Sequence, residues 1–123
     1  DNFFLFGLRA EEVEALRANY RPQDYVDSDP ELREVIGLLR SGHFNLYEPG
    51  IFDPIIDALM SPHDPWMVLA DFRSYVDAQE RVAQAWQDPE HWTRMSILNT
   101  ASSGHFSTDR TMREYNAEIW KLG

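Results

Sequence analysis

Four Asp-Pro dipeptides divide this sequence, at positions 29–30, 53–54, 64–65 and 88–89. An aspartate side chain can cap the first amides of a helix, and proline fits the first helical position because its missing N–H is not needed there. The repeated dipeptide therefore predicts repeated helix entry. A chain divided in this way is expected to consist mainly of short helices.

Apolar residues at helical spacing predict about six helices between these points. The predicted segments cover residues 10–19, 30–41, 51–60, 71–86, 89–103 and 107–120. Residues 2–6 form an apolar run that Gly7 ends, and they predict one short buried strand at the N-terminus. Residues 21–24 predict a turn, while residues 66–70 are compatible either with a strand or with a lead-in to the next helix.

The tetrapeptide Ser-Gly-His-Phe occurs twice, at residues 41–44 and 103–106. Each copy follows a predicted helix, so it is interpreted as a repeated helix exit. In that interpretation the glycine takes the left-handed conformation and the phenylalanine packs back on the core.

The composition limits the classes of protein to which the chain can belong. The 123 residues favour one domain, and 43% of them are hydrophobic, which is enough for a core. A net charge of −10 argues against nucleic acids and anionic membranes as main partners. No cysteine is present, which fits a cytoplasmic protein. No apolar run is long enough to span a bilayer, and no signal peptide is visible.

The residues offer no strong catalytic or metal-binding constellation. The carboxylate pairs Asp77/Glu80 and Glu11/Glu12 lie on polar helix faces and are interpreted as solvated charges. None of the four histidines pairs with another at the spacing of metal ligands, and His63 beside Asp64 is the least unfavourable candidate. The sequence has no serine nucleophile elbow and no glycine-rich phosphate loop. We therefore predict no catalytic, cofactor-binding or metal-binding residue in this chain.

Two further groups of side chains were weighed for binding. The arginines at 94, 110 and 113 could contact phosphate, but their acidic neighbours favour ion pairs on the helix surface. The tryptophans at 66, 86, 92 and 120 could stack on sugars, but the apolar helix faces on which Trp86 and Trp92 lie favour the core.

Long ordered strings in the sequence resemble the C-terminal region of glycogen (α-glucan) phosphorylases. The strings lie at residues 67–82, 92–99, 104–111 and 118–120, and residues 2–8 with 11–13 also look like the family. The resemblance covers nearly the whole chain. The sequence departs from the family pattern at two places. A glycine is missing between Asn19 and Tyr20, and Asn116 stands where the family more often has alanine. The first puts the turn at 19–22 in question, and the second predicts that the Asn116 side chain faces water or a partner.

The resemblance implies what a parent enzyme would do. Phosphorylases of this family cleave terminal α-1,4 bonds of a glucan with inorganic phosphate, release glucose 1-phosphate and carry pyridoxal phosphate on a lysine. They are usually homodimers built from two Rossmann-like domains. Residues 1–123 would then be a single segment at the C-terminal end of the cofactor-binding domain, comprising one strand and about six helices. The family's cofactor lysine and phosphate-binding residues precede the matched segment.

Lys121 agrees with this interpretation, because it is the only lysine of the sequence and lies near its C-terminal end. A Schiff-base lysine has to be fixed inside a pocket. The expectation is therefore a structural, mainly α-helical segment of a phosphorylase, inactive by itself and packed against the rest of that chain. Since the sequence starts directly with an apolar run, we also expect that a preceding segment has been removed. The alternative is a freestanding acidic helical module that binds another protein.

Overall fold

The structure, a computed structural model, describes residues 2–46 and 48–122. These residues form seven α-helices and no β-strand. The helices are α1 (Ala10–Leu16), α2 (Pro22–Ser28), α3 (Pro30–Arg40), α4 (Asp53–Leu59), α5 (Val68–Trp86), α6 (Pro89–Ser102) and α7 (Thr108–Tyr115). A 3₁₀ turn at Ser103–Phe106 follows α6, and a π-helical turn at Asn116–Trp120 follows α7. The prediction of a mainly α-helical chain is confirmed.

The predicted N-terminal strand at residues 2–6 is not confirmed. These residues adopt no regular secondary structure. A strand exists only when its backbone groups pair with a neighbouring strand, and the described residues supply no such neighbour. Phe3 and Leu5 consequently expose about two thirds of their surface, 66% and 64%.

The four Asp-Pro dipeptides start helices in more than one way. Asp29 and Asp88 act as predicted: each caps a helix whose first residue is the following proline. Asp53 is itself the first residue of α4 rather than its cap. The carboxylate of Asp64 accepts hydrogen bonds from the amides of Trp66 (2.9 Å) and Val68 (3.0 Å), so it prepares the start of α5 three residues after the proline.

Two further segments differ from the sequence prediction. The turn predicted at residues 21–24 is the beginning of α2, because Pro22 takes the first helical position and Asp24 lies in the first turn. Residues 66–70 are not a strand, since α5 begins at Val68 and continues for 19 residues. No helix within the described ranges combines the length and the apolar character needed to cross a membrane.

The described chain divides into two compact units, and the boundary falls inside α5 between Glu80 and Arg81. We call Leu5–Glu80 the N-terminal unit. Its core contains Val26 of α2, Leu32 and Ile36 of α3, and Leu69 of α5, which are 2–6% exposed. Tyr25, Leu59, Met60 and Phe72 are partly buried around this core. The N-terminal unit therefore has an apolar centre of its own.

The second unit, here called the C-terminal unit, comprises residues 81–122 together with residues 2–4. Within its described residues, Met95 is the one buried hydrophobic side chain. Trp92 of α6 contacts Phe4 at 6.4 Å and Trp86 at 5.0 Å between ring centroids. Many other apolar side chains are exposed: Phe3, Trp86, Ile97, Leu98, Phe106, Met112, Tyr115, Ile119, Trp120 and Leu122. This unit presents far more apolar surface than it buries.

The two Ser-Gly-His-Phe segments both follow helices, but they end them differently. Gly42 has a φ of 78°, which is the left-handed conformation expected after α3. Gly104 lies inside the 3₁₀ turn and has no positive φ. Neither phenylalanine packs on a core, since Phe44 is 60% and Phe106 is 83% exposed. In both copies the histidine ring instead meets the phenylalanine edge-on, at 4.7 Å and 5.3 Å.

The core of the N-terminal unit predicts a clear contrast between neighbouring residues of α3. Ile36→Ala removes a side chain that is 2% exposed and should lower the free energy of unfolding by about 2–5 kcal/mol. Val35→Ala removes a neighbouring side chain that is 42% exposed and should lower it by less than about 1 kcal/mol. Urea unfolding followed by circular dichroism measures both values. Equal losses would contradict the assignment of this core.

Candidate functional site

An ion-pair cluster joins α5 to the start of α3. The guanidinium of Arg73 donates to both carboxylate oxygens of Asp29 at 2.6–2.8 Å and to Glu31 at 2.7 Å. Asp29 also caps α3, because its Oδ1 accepts from the amides of Glu31 (3.0 Å) and Leu32 (3.2 Å). Hydrogen bonding to Arg73 holds the pKa of Asp29 below its usual value, and the hydrogen bonds to Asp29 and Glu31 raise the pKa of Arg73.

Tyr20 is the third group with a shifted pKa. Its side chain is 4% exposed, and its hydroxyl makes no hydrogen bond of ordinary geometry. Burial, together with the negative charge of Asp64, raises the pKa of Tyr20 to about 12. Its ring packs against Tyr25 with 5.7 Å between centroids. Tyr20 is therefore a neutral core residue at physiological pH.

These three pKa shifts differ in direction but have the same consequence for catalysis. A general acid or base works best when its pKa is near the operating pH. The acidic group becomes more acidic, while the phenol and the guanidinium become harder to deprotonate. Each group moves away from neutrality, so none of the three is prepared for proton transfer near pH 7.

The start of the N-terminal unit is tied to α5 through two side chains. The carboxylate of Asp71 accepts from the amide of Leu8 at 2.9 Å, and the hydroxyl of Ser74 accepts from the amide of Gly7 at 3.0 Å. Gly7 has a φ of 86°, and a Cβ atom there would lie 3.0 Å from Asp71 Oδ2. Phe6 adds an edge-on contact with Tyr75 at 5.1 Å. Glycine is required at position 7 by both conformation and space.

The residues considered for metal binding or nucleophilic catalysis are not gathered into a site. No group of three or more histidine, aspartate or glutamate side chains in the described ranges could hold a metal ion. Asp64 uses its carboxylate on backbone amides rather than beside His63. Ser103 donates its hydroxyl to the carbonyl of Thr100 at 2.7 Å. The predicted absence of catalytic and metal-binding residues remains a prediction.

The carboxylates and arginines singled out from the sequence lie mainly at the surface. Glu12 accepts from the amide of Arg9 at 2.7 Å and so supports the start of α1, while Asp77 and Glu80 are exposed. Arg110 pairs with Glu114 at 2.7 Å and donates to the carbonyl of His105, which ties α7 to the preceding turn. Arg113 donates to the carbonyl of Asp109 at 3.1 Å.

The chain end is organised by Asn116 and Lys121. Lys121 has a φ of 51°, and its amide donates to the carbonyl of Asn116 at 2.6 Å. The Asn116 side chain accepts from the amide of Leu122 at 2.9 Å and donates to the carbonyl of Leu122 at 3.2 Å. Asn116 is partly exposed, and its side chain pairs with backbone six residues away, a role that the sequence did not reveal. Lys121 itself is an exposed residue at this exit.

The tryptophans are more exposed than the sequence suggested. Trp86 is 61% exposed although it was expected in the core, and Trp92 is partly buried. Trp66 is 78% exposed and borders a cavity of about 650 Å³ in the N-terminal unit. The other cavity walls include Leu8, Val13, Glu14, Arg17 and Asp71. Sequence patterns did not single out this cavity, because its walls come from three separate segments.

Comparison with known proteins identifies relatives of the whole chain. The family model for carbohydrate phosphorylases matches residues 1–122, which confirms the resemblance seen in the sequence. The chain is 46% identical to a glycogen phosphorylase of Synechocystis sp., over 99% of this chain and 14% of the relative. It is 48% identical to the muscle form of Ovis aries over 98% and 14%, respectively. For the glycogen phosphorylase of Chlamydia pneumoniae the identity is 42%, over 99% and 15%. The chain thus spans about one seventh of the length of these relatives.

The Asp29–Arg73 contact predicts a pH-dependent stability difference. Because the folded pKa of Asp29 is lowered, the contact stabilises the fold above the unfolded pKa, and this contribution is lost as the pH falls through the folded pKa. Arg73→Gln should therefore be less stable than the original chain at pH 7, and the gap should close below about pH 4. Urea unfolding across this pH range measures the gap, which should also narrow at high salt.

Arg40→Gln is the matched control, since it removes one exposed positive charge from the last turn of α3. It should leave the pH dependence of the original chain nearly unchanged. If both variants gave the same pH profile, the assignment of the acid-sensitive contribution to the Asp29–Arg73 contact would be wrong.

Proposed function

The chain belongs to the carbohydrate phosphorylase family, and we propose that it is the C-terminal structural segment of a glycogen or α-glucan phosphorylase. The parent would cleave terminal α-1,4-glucosidic bonds with inorganic phosphate and release glucose 1-phosphate. The observation that carries this proposal is the 42–48% identity to glycogen phosphorylases along almost the whole chain, which is only a small part of each relative.

The exposed apolar surface supports a structural role against another part of the same polypeptide. The C-terminal unit exposes Ile97 (63%), Ile119 (64%) and Leu122 (69%), whereas only Met95 is buried among its described hydrophobic residues. Isolated soluble proteins rarely leave extensive apolar surface uncovered. We propose that the remainder of the phosphorylase chain covers it, and that residues 2–6 pair there as a strand of a Rossmann-like domain.

The parent's cofactor would be pyridoxal phosphate, and the residues of this chain do not fit that group. Such a cofactor needs an amine held inside a pocket and donors around its phosphate. Lys121 is exposed and adopts the left-handed conformation just after the π-helical turn, near the chain end. The described glycines with positive φ occur singly, at positions 7, 42 and 50. We propose that the groups that hold the cofactor and act on the substrate lie in the rest of the parent.

We propose a cytoplasmic homodimer that acts on α-glucan and phosphate, with residues 1–123 as one segment of its cofactor-binding domain. A net charge of −10 and the absence of cysteine agree with this setting. Nucleic acid and membrane surfaces are not proposed as partners.

An activity assay of the isolated chain tests this assignment directly. The purified 123-residue chain with pyridoxal phosphate, glycogen and inorganic phosphate should release no glucose 1-phosphate, because the catalytic groups are proposed to lie elsewhere. It should also show no absorbance of a lysine-linked cofactor. The phosphorylase polypeptide that contains this chain is the positive control. Glucose 1-phosphate release by the chain, or a cofactor joined to Lys121, would overturn the proposal.

A freestanding acidic interaction module is the second candidate, and the core of the N-terminal unit favours it. Val26, Leu32, Ile36 and Leu69 are at most 6% exposed without any help from another chain. This core shows that part of the chain has the burial that an independent domain needs.

Thermal unfolding of the 123-residue chain distinguishes the two candidates. A torn-off structural segment should bind a dye specific for apolar surface and should unfold over a broad temperature range, because its exposed side chains have lost their cover. A freestanding module should be monodisperse and unfold cooperatively. Circular dichroism measures the width of the transition, light scattering measures the oligomeric state, and dye fluorescence measures the exposed apolar surface. A sharp transition of a monomer would count against the structural segment.

A further inference from the structure

One stretch of the N-terminal unit carries negative charge without any lysine or arginine to balance it. No lysine or arginine lies between Arg40 and Arg73, whereas the same stretch contains the acidic residues Glu48, Asp53, Asp57, Asp64 and Asp71. The C-terminal unit, by contrast, has equal numbers of acidic and basic residues. The negative charge of the sequence is therefore concentrated in the N-terminal unit.

Four apolar side chains in the first half of this stretch are exposed. They are Phe44 (60%) and Leu46 (76%) in the loop after α3, and Ile51 (49%) and Ile55 (51%) at the start of α4. The helix beneath them is anchored, because the neighbouring Ile56 is only 5% exposed. We define the α4 docking surface as these four apolar residues together with Glu48, Asp53 and Asp57, which are also exposed.

Successive hydrogen bonds hold the loop that carries this surface. The amide of Asn45 donates to the carbonyl of Gly42 at 3.2 Å, and the amide of Glu48 donates to the carbonyl of Asn45 at 3.1 Å. The Asn45 side chain donates to the carbonyl of Glu48 at 3.0 Å. The amide of Asp53 donates to the carbonyl of Gly50 at 3.0 Å, where the loop leads into α4. A loop fixed in this way presents its apolar side chains with little ordering cost on binding.

The charge of the α4 docking surface limits what can cover it. A second copy of the chain would bring the same acidic surface and would be repelled. A neutral apolar cover would remove Glu48, Asp53 and Asp57 from water, and burying such charges without partners is unfavourable. A cover that carries both apolar side chains and positive charges meets both requirements.

The secondary structure of the surface indicates the shape of that partner. An extended peptide binds by adding a strand to the edge of a sheet, and the described residues contain no sheet. An amphipathic helix binds through apolar residues repeated every three or four positions. Ile51 and Ile55 are four positions apart, so they form an apolar ridge one helical turn long. A helix with an apolar stripe can pack against such a ridge.

We propose that the α4 docking surface binds an amphipathic helix of another protein, one whose apolar stripe is bordered by lysine and arginine. The stripe would contact Phe44, Leu46, Ile51 and Ile55, while the basic side chains would pair with the acidic residues around them. This binding goes beyond the proposed role of the chain as a structural segment, and it requires no phosphorylase activity.

The test uses the phosphorylase polypeptide that contains this chain and a fluorescent peptide of about 18 residues, which is long enough for about five helical turns. Leucines at helical spacing form one face of the peptide, and lysines form the rest. Fluorescence anisotropy measures its dissociation constant. A peptide with glutamate in place of lysine should bind at least about tenfold more weakly, and so should a peptide of the same composition without an apolar face. Equal binding of the three peptides would overturn the proposal.

Variants of the apolar residues locate the binding on the protein. Ile51→Ser combined with Ile55→Ser should raise the dissociation constant of the lysine peptide about tenfold, because both side chains would contact the stripe. The matched control replaces the same two residues with leucine, which keeps the apolar surface and should leave binding nearly unchanged. Both positions are exposed, so circular dichroism should show an unchanged fold.

Variants of the acidic residues test the electrostatic part independently. Glu48→Gln combined with Asp57→Asn should raise the dissociation constant several-fold and make it less sensitive to salt. Glu11→Gln combined with Glu14→Gln removes the same amount of charge from exposed positions of α1 and should have a much smaller effect. Equal effects of the two charge variants would overturn the proposal, because they would indicate attraction to the protein as a whole.

Other occupants of the surface give different results. A lower thermal midpoint of the serine variant with unchanged peptide binding would overturn the proposal and indicate a cover from the rest of the polypeptide. A change of oligomeric state in the serine variant, measured by light scattering, would overturn it in favour of a second copy. An activity assay of the same preparation tests the proposed function separately, since an inactive polypeptide that binds the peptide as expected would contradict only that function.

Discussion

Asp29 makes the contacts on which the organisation of the N-terminal unit depends. The backbone amide of Asp29 donates to the carbonyl of Tyr25 at the end of α2, while its carboxylate caps α3 and accepts from the guanidinium of Arg73 on α5. These three helices supply the core residues Val26, Leu32, Ile36 and Leu69. Since the side chain of Arg73 is 47% exposed, solvent weakens the ion pair. Its importance is geometric, because it joins the end of α2 and the start of α3 to α5. Apolar burial then stabilises that arrangement.

The uneven burial of apolar residues explains why composition alone did not predict how the two units are packed. Hydrophobic residues make up 43% of the sequence, a share that fits an ordinary globular domain. The N-terminal unit uses them in a core, but the C-terminal unit buries only Met95 among its described hydrophobic residues. Helices such as α6 and α7 gain little from helix propensity alone. Their exposed apolar side chains are therefore consistent with the proposal that both helices belong to a larger fold.

Sequence reasoning succeeded where a local rule determines the structure. The caps at Asp29 and Asp88, the glycine exit at Gly42 and the long helix ending at Trp86 follow from interactions within one turn of the chain. It failed where the answer depends on distant residues. The strand at residues 2–6 needs a partner that the described residues lack, and Phe106 needs a surface to cover it. The bonds of Asn116 to Leu122 were missed because helix propensity does not reveal a side chain that pairs with the chain end.

The candidate site likewise depends on residues that are distant in the sequence. The cavity beside Trp66 is built from residues 8–17, 65–66 and 71, so no contiguous motif could reveal it. The shifted pKa values, in turn, depend on burial and contacts that only the fold supplies, and all three move away from neutrality. Groups with such pKa values can bind and orient, but they are poorly suited to transfer protons at pH 7.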